Sequence, residues 1–316
     1  VAEVSETQAQ KPASAGAQLT LMSARKPRSL WSDAWSQFRK HKLAMAGVII
    51  LVLLLLTSFL GPFVWPMTPI DVTKSMQGPS LSHPMGTDDL GRDIMARVFW
   101  GGRVSLSVGL VAVLIAISVG VLIGAAAGFF GGFLDSLLMR FTDMAISLPT
   151  LPLLLLCSYL FRDSLTARFG STLGPFVLIV GLIGLLSWMP TARLVRASFL
   201  SIKEKEFIEA AYSIGTSRSA IIFKHILPNA FGPVIVAATI GVGAAIITES
   251  SLSFLGLGFP PDTPTWGRLL FDGRNYMEFA AWLVIFPGTA IFLAVLSINY
   301  VGDGLRDAFD PRRTQG

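Results

Sequence analysis

His83, Asp88, Asp89 and Asp93 are the densest group of acid–base and metal-ligating residue types in the chain, in a stretch that reads HPMGTDDLGRDIMARV. Three carboxylates and one imidazole are a poor donor set for a transition metal. Arg92 and Arg97 share the stretch, so the better reading is a loop of turns and short helix whose acids pair with these arginines. Asp143 lies within one turn of Arg140 and reads as half of a structural ion pair. Glu249, followed by Ser250 and Ser251, closes an apolar run. It fits a group lining a water-filled path or outer gate, and equally an interfacial carboxylate reaching for water. No GxxxxGK[ST] phosphate loop, HExxH, GxSxG or cysteine–histidine cluster occurs. No catalytic, cofactor-binding or metal-binding residue is therefore expected. The single Cys157 excludes an intrachain disulfide.

The longest charged segment between apolar runs is 201–228, SIKEKEFIEAAYSIGTSRSAIIFKHILP. Ser201 and Glu204 fit a capping box, which predicts a helix from Ile202. Phe207, Ile208, Ala211 and Tyr212 then recur at helical spacing, with Glu209 among the polar positions and Ala210 beside a small face. Gly215 is a natural stop, since a left-handed residue carries no Cβ penalty there. Thr216 or Ser217 can cap a second short helix that Pro228 ends or hands on to the next run. The segment reads as a helix–turn–helix of two amphipathic pieces.

These groups must be positioned by membrane-spanning elements. The chain has 316 residues, 52% of them hydrophobic and 14% charged, with a mean hydropathy of +0.63. Uncharged runs at Leu43–Ile70, Val104–Phe130, Met144–Phe161, Phe169–Ala192, Ile226–Thr248 and Phe279–Gly302 each approach or exceed the length a bilayer-spanning helix needs. The expected fold is an all-α polytopic membrane protein with six transmembrane helices. Pro149 and Pro152 are expected to kink the third, and Gly120, Gly124 and Gly128 to form a close-packing face on the second. Lys and Arg concentrate before the first run, in 193–225 and after the last, which puts both termini and the 201–228 segment in the cytoplasm. That bias accounts for the basic pI of about 9.6, so nucleic-acid binding is not expected. Residues 1–28 read as a disordered tail and 30–42 as an interfacial helix with Leu30, Trp31, Trp35 and Phe38. The chain does not begin with Met, which suggests a trimmed N-terminus, and the first apolar run is too long and too late for a cleaved signal peptide. Pro260, Pro261, Pro264 and Trp266 read as a rigid outer loop suited to partner contact. The spans lack ionisable groups away from their ends, which argues against a proton- or ion-coupled carrier. Energy would have to enter from another chain.

Glu209-Ala210-Ala211, Gly215 after three further residues, and Leu227-Pro228 resemble the EAA loop of permease subunits of bacterial ATP-binding-cassette importers. His225, MGTDDLGRDIMARV at 85–98, GGRVSLSVG at 101–109, SSLSFLGLG at 250–258, DTPTWG at 262–267 and GDGLRDAFDP at 302–311 resemble the second, C-type permease of the dipeptide/oligopeptide/nickel branch. The resemblance implies a type I ABC importer permease fold in the bacterial inner membrane. It divides the chain into an N-terminal region over 29–102 with an added peripheral helix, a permease core over 103–303, and a cytoplasmic tail over 304–316. It implies a homologous second permease, two ATPase subunits that bind ATP and Mg, and an extracytoplasmic solute-binding protein. Phe207, Glu209, Ala210, Ala211, Tyr212 and Gly215 would couple to an ATPase. Peptide is the implied substrate, with nickel, glutathione or an oligosaccharide on the same scaffold as alternatives. A self-energised carrier or channel, or a membrane enzyme, would belong to a different class.

Overall fold

The computed structural model describes residues 30–309; the expectations for 1–28 and for the last residues of the tail lie outside that range. The described chain is built of helices, with a lone bridge between Thr87 and Asp93 as the one piece of β pairing among the described residues. Helix α1 (Leu30–Lys40) leads into α2 (Lys42–Val64), whose first turn is capped by His41: its Nδ1 accepts the Ala44 N–H at 3.1 Å. Long helices follow as α3 (Ile94–Phe130), α4 (Gly132–Ser147), α5 (Thr150–Leu185) and α6 (Met189–Lys203). The chain then forms α7 (Glu206–Ser213), α8 (Arg218–Phe254), α9 (Trp266–Gly273) and α10 (Trp282–Phe309).

Five of these are long and apolar enough to cross a membrane, namely α2, α3, α5, α8 and α10. The six runs read from the sequence become five because α5 absorbs the fourth. It is no straight rod: Gly170 has φ 86° and ψ 170°, and a Cβ on Gly174 would lie 2.7 Å from the Leu165 carbonyl oxygen. Residues nine apart in one helix are about 13 Å apart along its axis, so the chain doubles back at Gly170. Pro149 and Pro152 do not kink a helix. Pro149 is the N-cap of α5 and Pro152 sits in its first turn, where proline removes no helical hydrogen bond.

Helix α3 is the centre of the bundle. Its Asp93 cap accepts the Ala96 N–H at 3.0 Å, and its faces pack on α2, α5, α6 and α8. At 37 residues it is about 55 Å long and links two ends of the molecule, one carrying α9 and the other α6 and α7. Gly120 and Gly128 hold α6 at backbone distance: a Cβ on either would meet Thr191 Cβ at 2.7 Å or Phe199 Cβ at 2.6 Å. Gly124 fits as closely against Ala192. The four-residue spacing of small residues thus becomes a helix–helix seam. Phe38 of α1 is buried against Gly304 near the end of α10, so α1 is tethered to the bundle, with Trp35 on its outer side. Helix α10 continues through Phe309, and the first part of the expected tail is helical.

Candidate functional site

At one end of α3 lies the segment that carries the EAA pattern. Helix α6 runs through Ser201 and stops at Lys203, so Ser201 caps nothing. The apolar stripe of α6 continues through Phe199 and Ile202 onto the same cluster, and packing overrides the local capping signal. Helix α7 starts after Lys205 and ends as glycine permits: Gly215 has φ 79°, Thr216 N–H donates to the Ala211 carbonyl at 3.1 Å, and Gly215 N–H to Tyr212 at 3.0 Å. These two bonds form a Schellman stop. Ser217 Oγ then accepts the Ala220 N–H at 3.4 Å to start α8. The expected second short helix is the first part of α8, and Pro228 does not end it. A π-helical stretch at Ile221–Ile226 joins it to the membrane-crossing part, a wide turn of a kind common at functional sites.

The faces of α7 separate cleanly. Ile208 is wholly buried and packs with Phe129, Val195, Phe199, Ile221 and Ile226. Ala211 is buried too, although the resemblance groups it with the residues that would couple to an ATPase. Glu209, Ala210 and Gly215 are exposed, as are Phe207 at 46%, Tyr212 at 42% and Ile214 at 83%. An eight-residue helix thus rests on the bundle by two residues and, with its Ile214 cap, offers three large apolar side chains outward.

A cavity of about 670 Å³ opens between α3, α5, α6 and α8. Ala112, Val113 and Ala116 line it from α3, Met189, Pro190, Thr191 and Leu194 from α6, and Ile240, Ala244 and Thr248 from α8. No charged residue lines it, and Thr150, Ser187, Thr191 and Thr248 supply hydroxyls. Sequence reading missed this wall, since its residues resemble ordinary core. The one available signal was the Ser187–Pro190 interruption within the uncharged run Phe169–Ala192.

The residues proposed from sequence for a path or outer gate lie elsewhere. Glu249 is wholly buried. Its Oε2 accepts from Ser105 Oγ at 2.9 Å and its Oε1 from Ser253 Oγ at 2.7 Å. Ser105 Oγ in turn accepts the Trp266 N–H at 3.3 Å, and Trp266 Nε1 donates to the Val98 carbonyl at 3.0 Å. Glu249 therefore binds α3, α8 and the start of α9 together. Ser250 and Ser251 border a separate apolar recess of about 510 Å³. Trp266 and Pro264 are buried in the fold, so only part of the proline-rich loop, Pro261 and Asp262 included, faces outward.

The acidic loop pairs internally, and one of its ties reaches far along the chain. Asp88 Oδ2 accepts from Arg92 Nε at 2.8 Å and Arg97 Nη1 at 2.6 Å, and Arg97 also reaches Asp272 at 3.3 Å. Asp93 contacts His83 Nδ1 at 2.8 Å while capping α3. Asp89 meets the Tyr276 hydroxyl at 3.4 Å, and its charge holds that phenol above the ordinary value. No group of three or more metal-ligating side chains converges among the described residues. Asp143 pairs with Arg193 of α6, not with Arg140.

Residues 120–315 match the family described as binding-protein-dependent transport system inner membrane component, and residues 29–79 the N-terminal TM domain of oligopeptide transport permease C. The chain is 44% identical over 289 residues to the oligopeptide transport system permease protein OppC of Escherichia coli K12, covering 90% of this chain and 92% of that one. It is 39% identical over 286 residues to the dipeptide transport system permease protein DppC of Alkalihalophilus pseudofirmus, covering 90% of each. It is 40% identical over 288 residues to the glutathione transport system permease protein GsiD of Shigella flexneri, covering 90% and 91%. Close similarity across nearly the whole chain, on a bundle of apolar helices with an uncharged cavity, makes this a multi-pass inner-membrane transport permease rather than an enzyme. The chain belongs to the binding-protein-dependent transport system inner membrane component family.

Proposed function

We propose that the chain is the C-type permease subunit of an ATP-driven peptide importer and forms half of its translocation pathway. The observation that carries this reading is α7, where Phe207, Tyr212 and the capping Ile214 stand exposed on a short helix whose other face is fixed to the bundle. Spaced apolar anchors on a short helix suit insertion into a groove of another protein. That protein is an ATPase subunit, and Glu209, Ala210 and the Gly215 turn complete the docking surface. The full partner set is a homologous second permease, two ATPase subunits holding the ATP and Mg, and a solute-binding protein on the outer side. The chain itself holds no cofactor.

Counting the two arms of α5 on either side of Gly170 as separate crossings gives six spans, with both termini and α7 in the cytoplasm. Transport follows alternating access: closure of the ATPases drives the docking helices together and opens the cavity towards the binding protein. The uncharged wall suits solutes of varied side-chain charge. The glutathione relative favours a second reading in which the cargo is that small tripeptide.

Three measurements test this. Tags in 201–225 should be protected from outside reagents in intact cells, and tags near Gly78 and Asp262 should be reachable; an accessible 201–225 loop overturns the orientation. The tagged chain should co-purify with a second permease and with ATPases carrying a phosphate loop, and uptake by the pure single chain in liposomes would sink the reading. Uptake by the complex, challenged with oligopeptides or with glutathione, separates the two cargoes.

A further inference from the structure

Helix α6 does two things at once. Its first turns carry Met189, Pro190, Thr191 and Leu194 on the cavity wall, and its last turn leads through Glu204 and Lys205 into α7. Two kinds of contact hold it in place. Along its length it lies against the glycine seam of α3. From its middle and its last turn it is tied by polar bonds to the first turn of α4 and the last turn of α3. Arg196 grips Asp135 with both arms of its guanidinium, Nε to Oδ1 at 2.5 Å and Nη2 to Oδ2 at 2.7 Å. Lys203 Nζ donates to the Phe129 carbonyl at 2.9 Å and stands 5.7 Å from the centre of the Phe129 ring. Phe129 itself packs with Phe199 of α6 and Ile208 of α7.

A forked guanidinium–carboxylate pair fixes direction as well as distance. Surface pairs contribute little to global stability, and Arg196 is about a third exposed, with its side chain 35% accessible. The arrangement is therefore better suited to orientation than to holding the fold together. We infer that Arg196 and Lys203 are positioning residues that make the end of α3, the start of α4, α6 and α7 one rigid body, so that a displacement of α7 is delivered to the cavity wall at Thr191 and Leu194. The inference rests on α7 being a docking helix.

The test uses the assembled complex in lipid, with uptake per ATP hydrolysed as the readout. Arg196→Ala should leave assembly and basal ATP hydrolysis intact and lower uptake per ATP about tenfold, the scale of effect seen for residues that carry coupling between sites. Arg196→Lys, which keeps the charge and loses the fork, should fall between. Exchange of the pair, Asp135→Arg with Arg196→Asp, should restore most of the ratio. Wild-type uptake per ATP in Arg196→Ala, or a deficit the exchange does not repair, overturns the inference. A second readout needs no partner: spin labels at Leu137 and Ser213 in the chain alone should report one narrow distance in wild type and a broadened one in Arg196→Ala. An unchanged distance distribution also overturns it. The docking reading fails separately, if Phe207→Ala with Tyr212→Ala leaves ATPase assembly untouched, and that result leaves the label distances standing.

Discussion

The two ends of α3 solve opposite problems with similar residue types. At the α9 end, two charged groups are buried and bonded: Arg97 is 3% exposed between Asp88 and Asp272, and Glu249 is enclosed by Ser105 and Ser253. At the α7 end, apolar groups are left in the open and the turn at Gly215 has nothing within 4 Å of where a Cβ would stand. Burying a charge is costly unless it is paired and hydrogen-bonded, so these two groups tie α3, α8 and α9 together. Exposed apolar groups cost the lone chain little, and they gain only when a partner covers them. The α9 end serves rigidity, and on the proposed function the α7 end serves assembly.

Substitutions can break or sharpen that contrast, ranked here by their expected effect on the stability of the lone chain. Glu249→Ala should be the most damaging. It leaves the Ser105 and Ser253 hydroxyls buried without their acceptor, at about 1–3 kcal/mol for each group, beside a new cavity. The purified chain should melt earlier or fail to accumulate, while Glu249→Gln, which keeps an acceptor oxygen, should be milder. A wild-type melting profile for Glu249→Ala would erase the distinction between the two ends.

Next comes Gly215→Val. The cost is about 1–2 kcal/mol for a side chain in left-handed backbone, and it falls on the turn alone because no neighbour is crowded. The permease should reach the membrane at normal level while uptake drops sharply, with Gly215→Ala less affected. Full uptake by Gly215→Val would remove the coupling role of this turn.

Phe207→Ala should change chain stability by no more than about 0.5 kcal/mol, as exposed positions do, and yet weaken recovery of the ATPase in pull-downs. A large loss of thermal stability without loss of the partner would reverse the assignment of that face.

The smallest effect concerns pH and the Asp135–Arg196 tie. The bonds from Arg196 hold the Asp135 carboxyl below its ordinary value, and Asp135 holds the guanidinium above its own. A depressed carboxyl stabilises the fold at pH above its unfolded value, and the contribution is lost as pH falls through the lower folded one. The Leu137–Ser213 label distance should thus stay constant from neutral pH down to about 4, the ordinary carboxylate range, and broaden only below it. Broadening already at pH 5 to 6 would show that another group controls the tie.

Much of this was legible in the sequence because it depends on local composition. Uncharged runs must enter a bilayer or a core, so the spans could be read from residue type, although Gly170 folds two of them into one broken helix. The stop at Gly215 follows from the absence of a Cβ, and the seam at Gly120, Gly124 and Gly128 from a spacing that puts small residues on one face. What the sequence could not supply was the identity of partners distant along the chain. Nothing near Glu249 points to Ser105, nothing near Arg97 to Asp272, and nothing near Asp143 to Arg193. The burial of Ala211, the outward turn of Ile214 and the passage of α6 through Ser201 were likewise decided by what packs against them. Local rules set which residues can make a helix, a stop or a close contact; only the tertiary structure selects which surface is spent inside the molecule and which is left for another chain, because burial is a property of neighbours and not of sequence position.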